Sequence, residues 1–183
     1  MDLSTQLARK AAAGDADAYS RLVFRHLDMV YRLTYRMTGE ADAAEELSQE
    51  VFLRAWEALG TYNPERPFLQ WLYTISLNLV RDFLRKQART RSLFSFRGER
   101  TEQPDPAGEV TAETRLIWKE RERRMQEGIG RLPVRLREAL LLRYMEELSF
   151  ENIAGVLGIS VSAAKMRVYR GVDRLREEMG KTS

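Results

Sequence analysis

Apolar residues recur at helical spacing along almost the whole of this chain, and no stretch alternates as a half-buried strand would. Leu3, Leu7 and Ala11 start a short helix that Gly14 can end. Asp15 or Asp17 can cap a second, with Tyr19, Leu22, Val23, Leu27, Val30 and Leu33 facing inward as far as Gly39. A third, from about Asp42 to Leu59, turns Ala44, Leu47, Val51 and Ala55 inward. GTYNPERP interrupts the pattern with two prolines. A fourth helix then runs from about Phe68 to Arg91, with Phe68, Leu72, Ile75, Leu79 and Phe83 toward the core.

Periodicity then fails. SLFSFRGERTEQPDPAGEVTAE holds two prolines, two glycines and mixed charge, with no stripe to bury, and reads as a linker. Its roughly 20 residues reach about 65 Å when extended, close to two turns of B-DNA. The charged helix ETRLIWKERERRMQEGI follows, then RLPVRLREALLLRYMEE, where Pro133 suits a first helical turn. The expected fold is all-α: two small helical domains, 1–92 and 113–183, joined by a flexible linker over 93–112. A chain of 183 residues has room for two such units.

Composition narrows the function. There is no cysteine and a single His26, which removes disulfides, thiolate metal sites and His-rich metal sites. No paired acid–base group or phosphate loop stands out, so neither catalysis nor a cofactor is expected. The N-terminus lacks the apolar run of a signal peptide and nothing approaches membrane-spanning length, so no membrane insertion and a cytoplasmic location are expected. Net charge is only +3, but it is unevenly placed. Acids crowd Glu40–Glu57, while bases crowd Thr74–Arg100 and Val161–Arg176. One acidic and two basic blocks suggest a basic protein partner and a polyanion touched at two places.

The sharpest local pattern is LSFENIAGVLGISVSAAKMRVYRGVDRLREEM. Phe150, Ile153, Ala154 and Leu157 make one apolar face, Gly158 allows a sharp turn, and Ser160 or Ser162 can cap the next helix. On that helix Ala164, Val168, Val172 and Leu175 point inward. Ser162, Lys165, Met166, Tyr169 and Asp173 lie opposite, flanked by Arg167, Arg170 and Arg174. This is the helix-turn-helix pattern, whose second helix enters the major groove. Lys165 and Arg170 can donate to guanine or phosphate, and Tyr169 can meet a thymine methyl or a phosphate.

AAEELSQEVFLRAWEAL, then FLQWLYTISLNLVRDFLRKQAR, then the helix-turn-helix resemble the ECF (extracytoplasmic function) group of bacterial sigma factors, with region 2 before the linker and region 4 after it. The resemblance implies core RNA polymerase as a partner, through the β′ clamp helices for region 2 and the β flap for region 4. It implies that the acidic face of the third helix docks there, assigning Asp42, Glu45, Glu46, Gln49, Glu50 and Arg54, widened by Phe52 and Trp56. It implies that the fourth helix and its preceding loop melt the minus-ten element of promoter DNA. Tyr62, Phe68, Trp71 and Tyr73 then offer surfaces to exposed bases, Asn78 reads a base edge, and Arg81 and Arg85 hold phosphates. Ser162, Lys165, Met166, Arg167, Tyr169 and Arg170 would read the minus-thirty-five element as duplex. An anti-sigma factor is a further implied partner.

Three departures stand out. AAEEL has one acid fewer than the family's common pattern, NPERP is stiffened by prolines where the family often has glycine and serines, and Met166 replaces a frequent small polar residue. LFSFR at the start of the linker is also more aromatic than a plain spacer. The competing readings are an autonomous helix-turn-helix regulator and a helical adaptor that binds only protein.

Overall fold

A computed structural model describes residues 2–93 and 112–180. Among them lie eight α-helices: α1 (Leu3–Ala12), α2 (Ala16–Thr38), α3 (Ala41–Ala58), α4 (Phe68–Leu93), α5 (Ala112–Arg131), α6 (Val134–Tyr144), α7 (Phe150–Leu157) and α8 (Val161–Gly180). A 3-10 turn, Leu59–Thr61, ends the α3 segment. Most of the expected linker, with the greater part of LFSFR, lies outside the described residues.

The helix ends follow local chemistry. Asp2 accepts from the amides of Ser4 and Thr5 at 2.8 and 3.1 Å, and Asp15, rather than Asp17, accepts from Ala18 at 2.9 Å. Gly39 closes α2 in the left-handed region, φ 79°, with its amide on Tyr35 O. Pro133 sits one residue before α6 rather than inside its first turn, and its carbonyl takes the amides of Leu136 and Arg137.

Helices α1 to α4 enclose one core of Leu7, Leu22, Val30, Val51, Phe52, Ala55, Phe68 and Leu72. The inward set expected for α3 is buried as read. On α2, Leu27 is exposed and His26 takes the buried place, accepting from or donating to Ser4 Oγ at 2.9 Å and packing on Phe68. The polar ring nitrogen has a partner there, so one turn of α1 can close over it.

A second core joins the two modules. Leu33, Met37, Leu47, Tyr73, Leu77 and Val80 from the first half pack with Ile129, Leu141, Leu142, Ile153, Val156 and Val168 from the second. Helix α4 is therefore apolar on two sides. Phe68 and Leu72 face α1–α3, while Tyr73, Leu77 and Val80 face the C-terminal half. Polar contacts ring this seam. Arg81 Nε and Nη2 donate to the two carboxylate oxygens of Glu138 at 2.5 and 2.9 Å. The Tyr73 hydroxyl donates to Glu146 at 2.6 Å, and Gln70 Nε2 donates to Asn152 at 2.8 Å. Arg137, buried, donates to the carbonyls of Met37, Gly130 and Leu132, so one guanidinium satisfies orphan carbonyls at the ends of both α2 and α5. Gln126 reaches the Tyr35 and Arg36 carbonyls, and Arg36 pairs with Glu122.

Two stability predictions follow from this packing. Helices α6 and α8 cross at Gly171, where a Cβ would lie 3.3 Å from both the Leu136 carbonyl and Leu140 Cδ1. Gly171→Val is expected to lower unfolding free energy by about 1–3 kcal/mol, through overpacking against backbone, in a urea titration. Burial, assisted by the Arg25 charge and opposed by Asp2, pushes the His26 pKa down to about 4 from 6.5. The unfolded chain takes up that proton as pH falls below 6.5 and the folded chain does not until near 4. The neutral histidine's contribution is therefore intact at neutral pH and lost progressively between 6.5 and 4. Wild type should lose about 3 kcal/mol more than His26→Gln across that window, measured by urea midpoints at each pH.

Candidate functional site

Three surfaces carry the chemistry read from the sequence. The first is built on the α7–turn–α8 unit. Ser149 caps α7 by accepting from the Asn152 amide at 3.2 Å. Gly158 turns the chain at φ 64° with its amide on Ala154 O. Ser160, rather than Ser162, caps α8 by accepting from the Ala163 amide at 3.2 Å. Ile153, Ala154, Ala164 and Val168 are buried where the two helices cross, which fixes the direction in which α8 presents its outer face. Ser162, Lys165, Met166, Tyr169 and Arg170 are exposed together on that face, and Arg167 is half-buried beside them. Val172 and Leu175 are only partly covered.

Charge on α8 is divided along its length. Arg174 pairs with Glu177 and Glu178, and Arg176 lies 3.8 Å from Asp173. Among the described residues no carboxylate comes within ion-pair distance of Lys165, Arg167 or Arg170. The N-terminal half of α8 thus keeps its cations available to an external anion. The ring of Phe150, at the start of the apolar face of α7, is half-buried. It carries the Arg143 guanidinium at 4.9 Å, the Lys165 ammonium at 5.6 Å and Tyr169 at 6.2 Å. Sequence reasoning missed Arg143, because its place beside α8 depends on how α6 packs and leaves no periodic signal.

The second surface is the outer face of α3. Asp42, Glu45, Glu46 and Gln49 are exposed in one stripe, as their spacing requires. Glu50 is half-buried and accepts from Arg54 Nε at 2.7 Å, and Arg54 also lies 3.8 Å from Glu57. Phe52 is buried and does not widen this face. Trp56 does, packed 4.8 Å from Tyr19. The Tyr19 hydroxyl donates to the Phe52 carbonyl, and burial pushes its pKa up to about 12, so it stays a neutral donor. Leu53 on α3 and Phe24 and Leu27 on α2 are exposed as well, Phe24 by 82%. Phe24 and Leu53 carry no assignment in the sequence reading, whereas Leu27 was expected to face inward and is exposed instead.

The third surface is α4 with its preceding loop. Asn78 and Arg85 are exposed on one side, and Asn78 lines a shallow groove with Arg54, Glu57, Ile75, Leu79 and Asp82. Arg85 lies 3.1 Å from Asp82. Arg81 shares their face but is held by Glu138, and its Nη1 donates to Asn78 Oδ1 at 2.9 Å. The aromatic expectation needs correction. Phe68 is 1% exposed and Tyr62 7%, both in the α1–α4 core, and Tyr73, 3% exposed, faces the C-terminal half, so none of the three offers a face to a base. The burial of Tyr62 and Phe68 follows from the loop. Pro64 and Pro67 fold it back so that the Tyr62 hydroxyl donates to the Arg66 carbonyl at 2.7 Å, and Phe68 opens α4 pointing inward. Trp71 is half-buried, 5.3 Å from Tyr62 and 5.6 Å from Phe68.

Comparisons with known proteins agree with this arrangement. Residues 22–90 match the family Sigma-70 region 2, and residues 122–175 match Sigma-70, region 4. The chain is 32% identical over 181 residues to the ECF RNA polymerase sigma factor SigW of Bacillus subtilis, covering 93% of this chain and 94% of that one. It is 35% identical over 167 residues to the RNA polymerase sigma factor CarQ of Myxococcus xanthus, covering 91% and 92%. The structure of CnrH in complex with the cytosolic domain of CnrY superposes with a TM-score of 0.74 at 27% identity, over the full length of both chains. With both regions in place and near-full-length relatives above 30% identity, the chain belongs to the ECF family of RNA polymerase sigma factors.

Proposed function

We propose that this sigma factor docks on core polymerase through the α3 face and the C-terminal module, reads the minus-thirty-five element with α8, and captures the minus-ten strand with α4. Sigma factors of this family are non-enzymatic initiation factors, so the bond chemistry belongs to the polymerase. The observation that carries the reading is the segregation of exposed charge. Asp42, Glu45 and Glu46 form one exposed acidic stripe on α3, while Lys165, Arg167 and Arg170 form a cationic group without ion-pair partners among the described residues on α8. The acidic stripe beside exposed Leu53 and Trp56 suits a basic protein surface with an apolar centre, here the β′ clamp helices. The cationic group, rimmed by Met166 and Tyr169, suits a major groove.

On α4, Asn78 supplies an amide that can read a base edge, Arg81 and Arg85 supply phosphate donors, and Trp71 supplies a partial stacking surface. The β flap is the partner assigned to the C-terminal module, whose exposed Tyr144 and Met145 offer apolar contact. An anti-sigma factor is the expected regulator. Among similar solved chains, the sigma factor RpoE from Bartonella quintana is in complex with the anti-sigma factor NepR, and CnrH is in complex with the cytosolic domain of CnrY. No described helix is long and apolar enough to cross a membrane, and we place the protein in the cytoplasm with its polymerase.

The reading is tested by transcription in vitro with purified core polymerase on promoter fragments of its own genome. Defined transcripts that require the added chain are expected, and their absence would remove the reading. Tight binding to duplex DNA without polymerase would favour an autonomous regulator instead. Lys165→Ala with Arg170→Ala should cut transcription from minus-thirty-five-dependent promoters by roughly tenfold or more while core binding in a pull-down is retained. Glu46→Ala with Gln49→Ala should weaken core binding by roughly tenfold and leave the DNA preference of the C-terminal module unchanged.

A further inference from the structure

We propose that Met166 is a specificity-determining residue of the α8 surface, reading the C5 methyl of a thymine in the minus-thirty-five element beside the base pair that Arg170 contacts. The proposal rests on the promoter reading given above and deepens it by naming the base that this helix selects. Most of the residues assigned to duplex reading are engaged within the module. The Ser162 hydroxyl lies 3.0 Å from Ser160 Oγ, the oxygen that caps α8. The Lys165 ammonium and the Tyr169 ring lean back over Phe150, 5.6 and 6.2 Å from its centroid. Arg167 is half-buried. Met166 and Arg170 remain. Both are exposed, Met166 by 51%, and among the described residues neither has an ion pair or a hydrogen bond.

Met166 and Arg170 stand at i and i+4, on one stripe of α8 and about 6 Å apart along its axis. Base pairs stack about 3.4 Å apart, so the two side chains address pairs one or two steps apart when α8 lies along the groove. Their chemistry differs. A guanidinium donates to O6 and N7 of guanine, whereas a thioether has no proton to donate to any base edge. The thymine C5 methyl is the one methyl group that an unmodified base pair presents in the major groove. Met166 is unbranched, so its side chain follows the position of that methyl as a stiffer residue could not. The backbone that carries it is held in place. Ser160 caps the first turn, and Ala164 and Val168, on either side of Met166, are buried against the rest of the module. Contact with a methyl removes apolar surface of both partners from water, and no residue of the chain itself does this for the exposed part of Met166.

The test removes that methyl and nothing else. On a promoter that the full-length chain transcribes with core polymerase, each thymine of the minus-thirty-five element, on either strand, is replaced in turn by deoxyuridine, which keeps every hydrogen-bonding edge. The affinity of the holoenzyme for each fragment is measured for the unsubstituted chain, for Met166→Leu and for Met166→Ala. At one position the unsubstituted chain should bind thymine about fourfold more tightly than uracil, the worth of one methyl group taken out of water. Met166→Leu should keep most of that ratio and Met166→Ala should bring it close to one. That position should lie within about two base pairs of the one at which Arg170→Ala relaxes base preference. Met166 lies outside both cores, so its substitution leaves their packing intact. A minus-thirty-five element without thymine, a ratio of one at every thymine, or an unchanged ratio in Met166→Ala would each overturn the proposal. Absence of transcripts from the unsubstituted chain would be a different result, removing the promoter reading itself and this inference with it.

Discussion

The structure depends on a helix that must be covered twice. α4 turns Phe68 and Leu72 into the core of α1–α3, and Tyr73, Leu77 and Val80 to the opposite side. A helix apolar on two faces is stable in water only between two layers. The first layer comes from the same module. The second is supplied by α6 and α7, which place Leu141, Leu142, Ile153 and Val156 against the α4 side chains and against Leu33 and Met37 of α2. Removing the C-terminal module therefore strips an apolar seam as well as a ring of hydrogen bonds. Whatever replaces it has to cover that seam, and that requirement links the fold to the choice of partners.

Much of the first layer was legible in the sequence. Ala44, Leu47, Val51 and Ala55 gave α3 its buried face because their spacing is that of a helix with one covered side. Asp15, Gly39, Gly158 and Ser160 marked helix ends through backbone needs that are local and independent of tertiary context. The second layer was not read. Tyr73, Leu77 and Val80 also fall at helical spacing, but they interleave with Phe68, Leu72, Ile75 and Leu79, and one periodic face was sufficient to account for a helix. Leu27 and His26 show the same ambiguity at finer scale. Adjacent positions on α2 both border the core, and the buried ring of His26 is hydrogen-bonded with Ser4 where the leucine is exposed.

Charged residues were the least legible, for a physical reason. Sequence gives a charge's sign and its place on a helix, but its partner is set by long-range packing. Asp42, Glu45 and Glu46 were read as an exposed stripe and are one. Arg137 and Glu138 stand in an ordinary-looking RLREAL run and are both buried, because α6 enters the seam at that point. Burial pulls the Arg137 pKa below its usual value, against the Glu138 charge, yet its guanidinium still finds carbonyls that the ends of α2 and α5 would otherwise leave unsatisfied. Likewise Tyr62 and Phe68, plausible stacking surfaces by residue type alone, are consumed by the proline-bent loop that returns the chain to α4.

The chemistry of the seam bears on what kind of closure it is. A buried ion pair contributes little net stability, since the attraction between the charges is offset by their desolvation, while removing one member strands the other and is costly. A seam closed by Arg81 and Glu138 is thus selective in geometry without being strongly held. Tyr73 adds to this: burial, and then its bond to Glu146, raise its pKa, so the hydroxyl stays a donor to a carboxylate that is only partly buried. Each of these contacts can be exchanged for water or phosphate on opening with small net change, because both partners regain solvation together. The apolar part of the seam, where Leu77 and Val80 pack with Ile153 and Val156, then carries most of its stability. The seam is thus polar and geometrically selective at its rim and apolar at its centre.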